Sequence, residues 1–241
     1  MRTKTLLLTA AFSAAGIATS MAQTAVYSVN MVGYINKSIP QKLSMIANQL
    51  NASPNNKVTT LFGTPVLVDL AVGVPGGLTI NKFNGVGYDQ LVYDNENLWQ
   101  GVPGPAGIDM VLNPGSGAFI DNASGAALPV TFVGEVQLSS ALTITPGQQI
   151  YSSAIPQSLP VTALGIPVPT VPVRTLNITR FNPATQSYLP GYSYELEQGG
   201  WLPEVPTPGI AESFFIDWAD ADQNGVHQGN LTWTRTFPVG P

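Results

Sequence analysis

Asp220, Asp222 and Asn224 alternate along Asp217-Trp218-Ala219-Asp220-Ala221-Asp222-Gln223-Asn224-Gly225. This is the spacing of the first three ligands of a calcium loop, with Gly225 where such a loop must turn sharply. Alternate oxygen donors in a tight loop gather around one point, as a hard cation requires. The closing position is Leu231, however, so the bidentate carboxylate that completes an EF-hand is missing. Asn224-Gly225 is also a strong hairpin signal. The favoured reading is therefore a turn between two strands, with calcium at Asp220, Asp222 and Asn224 as the alternative.

Other catalytic chemistries find little support. His227 is the only histidine and there is no cysteine, which removes Cys–His pairs and multi-histidine zinc sites. No Gly-x-Ser-x-Gly elbow presents a serine nucleophile. Gly115-Ser116-Gly117 follows a proline, and its glycines suit a turn. Glu195 and Glu197, like Asp94 and Glu96, are two residues apart and would share one face of a strand. Glycosidases use carboxylate pairs, but an exposed acidic strand end gives the same pattern without chemistry. The expectation is a non-enzymatic protein, with a glycan-active hydrolase as the remote alternative.

Aromatic residues make the better binding candidates. Tyr88, Tyr93 and Trp99 are echoed later by Tyr188, Tyr192, Tyr194 and Trp201. Flat rings on a β face stack on sugar rings, and neighbouring amides bond the hydroxyls. Trp99 and Trp201 recur in both halves and are expected in the core. Trp218 and Trp233 have no earlier counterpart. With Tyr192 and Tyr194, they are the expected ligand-binding residues for surface glycans, and their setting is the acidic loop.

The elements that would carry these residues are written twice. Leu78-Thr79-Ile80-Asn81-Lys82-Phe83-Asn84 returns as Leu176-Asn177-Ile178-Thr179-Arg180-Phe181-Asn182, with four of seven residues identical and the basic position kept. Val58-Thr59-Thr60-Leu61 recurs as Val161-Thr162-Ala163-Leu164. Pro114-Gly115 with Phe119-Ile120-Asp121 recurs as Pro208-Gly209 with Phe215-Ile216-Asp217. The blocks keep their order at a spacing of about a hundred residues, too long for a propeller blade and suited to two large units. Two units are expected, at 40–138 and 144–238, after a lead segment at 23–39.

Within each unit the local signals are β. Leu78–Phe83 alternates apolar and polar residues like a half-buried strand. Gly85-Val86-Gly87 turns the chain back through Tyr88–Tyr93, and Ser187–Tyr194 is the corresponding return strand. Val130–Val136 and Leu231–Phe237 are expected to close the units. Ser53-Pro54 offers a cap and first-turn proline for a short helix over Asn56–Phe62, and Pro160–Leu164 is its shortened equivalent. The predicted class is all-β, with one or two short helical turns. The two tandem units would form a sandwich- or barrel-like pair related by an approximate twofold.

Bulk properties narrow the partners. The first residues read as a signal peptide over 1–22. Arg2 and Lys4 precede the apolar run from Leu6 to Ala18, and Ser20-Met21-Ala22 forms a small-residue cleavage site. That run is too short for a stable membrane span, and no transmembrane segment is expected in the mature chain. The net charge is −5, and losing the leader makes it more negative, so nucleic acid is a poor partner. Without cysteine, an exported chain must rely on packing and backbone pairing.

At these landmarks the sequence resembles uncharacterised secreted, β-rich, two-unit proteins of the kind abundant in Verrucomicrobia. The residues that carry the resemblance are Val26-Tyr27-Ser28-Val29-Asn30-Met31-Val32-Gly33-Tyr34 after the leader, Ile46-Ala47-Asn48-Gln49-Leu50-Asn51, and Phe132-Val133-Gly134-Glu135-Val136. The two Pro-Gly and Phe-Ile-Asp blocks also fit. The resemblance implies export to the periplasm, cell surface or extracellular space, and it brings no activity. The expected function is structural or adhesive, with surface glycans or copies of the chain itself as partners. A carbohydrate-binding module, with or without calcium, is the alternative.

Overall fold

Alternation of side chains decides what each strand covers. In Leu128–Glu135 every second residue is buried, and Leu128, Val130 and Phe132 face inward while Pro129, Thr131 and Val133 face water. A strand of this kind covers a core with one face only. Other strands carry large apolar groups at consecutive positions, as in Phe214-Phe215-Ile216, and must be covered on both sides. The computed structural model describes residues 31–65, 67, 77–94, 98–101, 110–170, 174–219 and 229–237.

The first half of the chain contains β1 (Val32–Ile39), β2 (Lys42–Ala47), α1 (Val58–Phe62), β3 (Gly77–Phe83), β4 (Tyr88–Asp94), β5 (Leu98–Gly101), β6 (Gly117–Asn122) and β7 (Leu128–Glu135). The second contains β8 (Ser139–Ile144), β9 (Gly147–Tyr151), β10 (Thr175–Thr179), β11 (Phe181–Asn182), β12 (Ser187–Tyr188), β13 (Tyr192–Glu195), β14 (Gly200–Leu202), β15 (Phe214–Ala219) and β16 (Leu231–Thr236). Every strand pair is antiparallel. The first half forms a five-stranded sheet in the order β2-β6-β3-β4-β5 beside a ribbon of β1 and β7. The second forms a sheet in the order β9-β15-β10-β13-β14, beside a ribbon of β8 and β16 and the short pair β11-β12. The protein is all-β, as expected, with one short α-helix among the described residues.

Two boundaries differ from expectation. Val32–Ile39, assigned to the lead segment, is the partner of β7 along its whole length, from Val32 opposite Glu135 to Ile39 opposite Leu128. β8 starts ahead of residue 144 and pairs likewise with the closing strand β16. Both pairings join segments far apart in sequence, which local patterning does not reveal. The helix also starts later than Ser53-Pro54 suggests. Lys57 occupies the cap position, where its side chain makes no capping bond to the helix. Asn55 instead holds the first turn, accepting from Lys57 N at 3.0 Å and Thr60 Oγ1 at 2.8 Å. At 160–164 only a turn forms, closed by Leu164 N donating to Pro160 O at 2.9 Å.

The expected single strand Ser187–Tyr194 is split in two. In the first hairpin, Ile80 faces Leu91 and Phe83 faces Tyr88. In the second, Ile178 faces Tyr192 and Phe181 faces Tyr188, so the return strand carries an extra residue. The surplus lies in Leu189-Pro190-Gly191, and a proline that cannot donate to the ladder fits such a bulge. Leu189 N still bonds Arg180 O at 2.9 Å.

Three apolar clusters follow from the parity of the strands. Ile35, Ile46, Leu78, Ile80, Ile120 and Phe132 belong to a core within the first half. Leu176, Ile178, Phe214, Ile216, Trp218 and Trp233 belong to a core within the second. The third cluster joins the halves through Met45, Phe119, Ile150, Phe181 and Phe215, with Leu43 and Phe83 against it. The doubled Leu-x-Ile-x-basic-Phe line is thereby divided in function. Its Leu and Ile face the core of their own half, and its Phe, on the opposite parity, faces the other half.

Contacts across the seam are reciprocal. Phe83 meets Phe215 at 6.0 Å between ring centroids, and Phe181 meets Phe119 at 5.5 Å. Ser152 N donates to Gly115 O at 2.9 Å, and Ala47 N donates to Ala211 O at 3.3 Å. Gly115 and Ala211 both have positive φ, 94° and 54°. Ala211 thus takes the place opposite β2 that Gly115 takes opposite β9, and the Gly209 suggested by sequence does not. Beside them Gly117 lies so close to Ser213 that an added methyl would overlap the serine side chain.

Candidate aromatic cleft at the seam

The tryptophans expected to meet ligand are core residues. Trp218 is 0 % exposed and Trp233 is 1 % exposed. Trp218 Nε1 donates to Gly229 O at 2.9 Å and Trp233 Nε1 to Leu164 O at 2.7 Å. Buried indole N–H groups usually find an acceptor, and these two do so in their own half. Each sits on an inward position of its strand, facing the same core. The expectation of exposed contact at Trp218 and Trp233 is therefore corrected.

The two expected tyrosines are also inward. Tyr192 is buried, and Tyr194 is partly buried with its ring edge-on to Trp201 at 5.7 Å. Trp201 is buried, and Trp99 packs partly buried against the first core with its Nε1 on Gly63 O at 2.7 Å. Glu195 ends β13 while Glu197 lies in the following turn, so the two do not share a strand face. Asp220, Asp222, Asn224, His227 and Glu96 lie outside the described residues.

Two other tyrosines are brought together instead. Tyr88 opens β4, directly opposite Phe83, and Tyr188 lies directly opposite Phe181. Both rings are exposed, by 43 % and 53 %. They line one cleft of about 400 Å³ with Leu43, Asn81, Phe119, Phe181 and Gln186. Phe119 lies beneath both, 6.2 Å from Tyr88 and 6.4 Å from Tyr188 between ring centroids. Phe181 supports Tyr188 at 5.5 Å, and Phe83 supports Tyr88 at 5.3 Å. Each half supplies one exposed ring and one buried ring.

Polar groups fix the rim. Gln186, held at positive φ in the second hairpin turn, reaches across to the edge of β2. Its Oε1 accepts from Leu43 N at 3.0 Å and its Nε2 donates to Leu43 O at 2.9 Å, as a neighbouring strand would. Asn81 accepts from Gln90 Nε2 at 2.6 Å through Oδ1, which leaves its amide nitrogen to donate. Burial raises the pKa of both phenols, and for Tyr88 the nearby Tyr188 adds to the rise. Both rings are accordingly neutral across the physiological range. The stability this gives is complete below 10 and is lost as pH climbs through the folded values.

The cleft can stack on a flat apolar face and exchange hydrogen bonds at its edge. Its lining has no carboxylate, imidazole or amine. The echo of Tyr88 by Tyr188 is visible in the sequence. That the two rings meet is not, because the cleft exists only once the halves are joined. Comparison with known proteins finds no matching family model, no matching curated protein and no matching solved structure.

Proposed function

We propose that this is an exported, non-enzymatic adhesive protein that binds glycans in the cleft between its two halves. One observation carries the reading: two exposed tyrosines, one from each half, stand over a shared phenylalanine floor with amides at the rim. Sugar rings present an axial C–H face to such rings and hydroxyls to amides and phenols. Export rests on the leader at 1–22. The matching strand orders of the two sheets support descent of the halves from one duplicated unit.

Purified protein lacking 1–22 is expected to be retarded in affinity electrophoresis by at least one neutral polysaccharide. Tyr88→Ala and Tyr188→Ala should each weaken that binding tenfold or more, about 1.4 kcal/mol. Each ring keeps roughly half of its surface in water, so these variants should remain folded at the assay temperature. Trp218→Tyr, altered only in the core, should bind normally while folded. Retardation unaffected by either tyrosine substitution would overturn the site. Failure to bind any glycan, together with concentration-dependent self-association, would favour a purely structural role. The exposed Val32, Tyr34 and Val133 on the β1–β7 ribbon offer a surface for that role.

A further inference from the structure

A second cavity lies on the other side of Phe181, where the end of β1 meets β2 and the junction of β10 and β11. It encloses about 260 Å³. Its walls mix apolar groups, Ile39, Met45 and Phe181 among them, with the polar Ser38, Ser44 and Asn182, and three charged side chains enter the lining: Lys37, Arg180 and Glu212. Two of these neutralise each other. Arg180 Nε donates to Glu212 Oε1 at 2.7 Å and Nη2 to Oε2 at 3.0 Å. Gly209 N adds a bond to Oε2 at 2.8 Å. A two-point guanidinium–carboxylate pair of this kind is geometrically fixed and leaves little net charge.

Lys37 is not matched. On β1 it shares the inward parity of Ile35 and Ile39, both buried. It is itself half-buried, and its side chain has no ion pair or hydrogen bond among the described residues. A half-buried lysine lays its methylenes on the apolar wall while its ammonium stays accessible, and here that charge has no counter-charge. The second half shows how the position is otherwise filled. β1 and β8 end on Ile39 and Ile144, both fully buried and each separated by two residues from the next strand, so the two strands correspond end to end. Lys37, opposite Val130, then corresponds to Leu142, which lies opposite Trp233 and packs partly buried on the second core. The fold therefore takes an apolar leucine here without difficulty, whereas β1 carries a lysine beside a cavity.

We propose that this cavity binds a small organic acid, with its single carboxylate on the Lys37 ammonium and its carbon body against Ile39, Met45 and Phe181. One unmatched positive charge suits one negative charge. A dianion would bring its second charge toward Glu212 without a partner. The required chemistry could come from a free aliphatic acid or from a uronic acid of an acidic polysaccharide.

The test is calorimetric titration of the mature chain with 4-methylpentanoate and with glucuronate, beside their uncharged methyl esters. Saturable binding is expected for at least one acid, weakened tenfold or more in its ester. Lys37→Met should lower the acid's affinity by a similar factor while its melting temperature holds or rises, and Lys37→Gln serves should methionine perturb folding. Binding of 4-methylpentanoate alone would identify the free acid as the source, and glucuronate alone the polysaccharide. Tyr88→Ala should leave the acid's affinity unchanged, which separates this site from the cleft. No saturable heat from either acid at millimolar concentration, or equal binding by acid and ester, would overturn the proposal.

Discussion

Trp218 and Tyr188 illustrate how little side-chain type says about exposure. Trp218 precedes an acidic loop and has no partner residue in the first half, which marks it as a contact residue in the sequence. Its strand parity decides otherwise, because Phe214, Ile216 and Trp218 share one buried face of β15. Trp218→Ala should lower unfolding free energy by about 3–5 kcal/mol, the cost of emptying a large aromatic site. Chemical denaturation checks this. A loss under about 1 kcal/mol would mean that the indole is not a core group. Tyr188 reaches the surface because it follows a turn at the open end of its hairpin, and the same is true of Tyr88. These placements are local and were legible as an echo. Their meeting over Phe119 depends on the partner half and was not.

At the level of elements, the doubled line was the most legible part of the chain. Its alternation specifies β3 and β10, and the turns after Asn84 and Asn182 return the chain as hairpins. The ribbons were hidden because β1 and β7 are separated by most of the first half, and nothing within Val32–Ile39 names its partner. The basic position of the doubled line shows how matching elements diverge. Arg180 is paired with Glu212, whereas Lys82 Nζ donates to Val111 O at 2.8 Å. Burial lowers the Lys82 pKa below the ordinary 10.5, and Asp89 only partly restores it. Between the folded and unfolded values the unfolded chain binds the extra proton, so stability rises with pH through that window. Wild type should therefore gain stability relative to Lys82→Met as pH approaches 10, before the tyrosines titrate. Urea melts of both proteins at a series of pH values would show it, and parallel curves would refute it.

For the molecule as a whole, the seam is the decisive element. Each sheet would expose Phe119 or Phe215 and its neighbours to water if the halves parted. The reciprocal hydrogen bonds at Ser152 and Ala47 would be lost as well. The halves should therefore unfold together. Three of the four tryptophans lie in the second half, so fluorescence reports mainly on it while circular dichroism reports on both. The two transitions should coincide in wild type. Phe119→Ala, placed in the first half, should shift the fluorescence transition by about 3–5 kcal/mol. A fluorescence transition insensitive to this substitution would mean that the halves are thermodynamically independent.

Gly117 and Ser213 meet where each half presents the same place to the other. In a dimer of identical chains, a residue at such a point must be compatible with a copy of itself. Two glycines would leave a gap, and two serines would collide. Once both halves belong to one polypeptide, that restriction disappears. One side can shrink while the other grows, and a residue can be tuned on one side alone. The same freedom lets Lys37 stand on β1 where β8 has Leu142. Joining two halves of matching strand order in one chain thus does more than hold them at high local concentration, because it lets residues such as Gly117 and Ser213 differ where they meet.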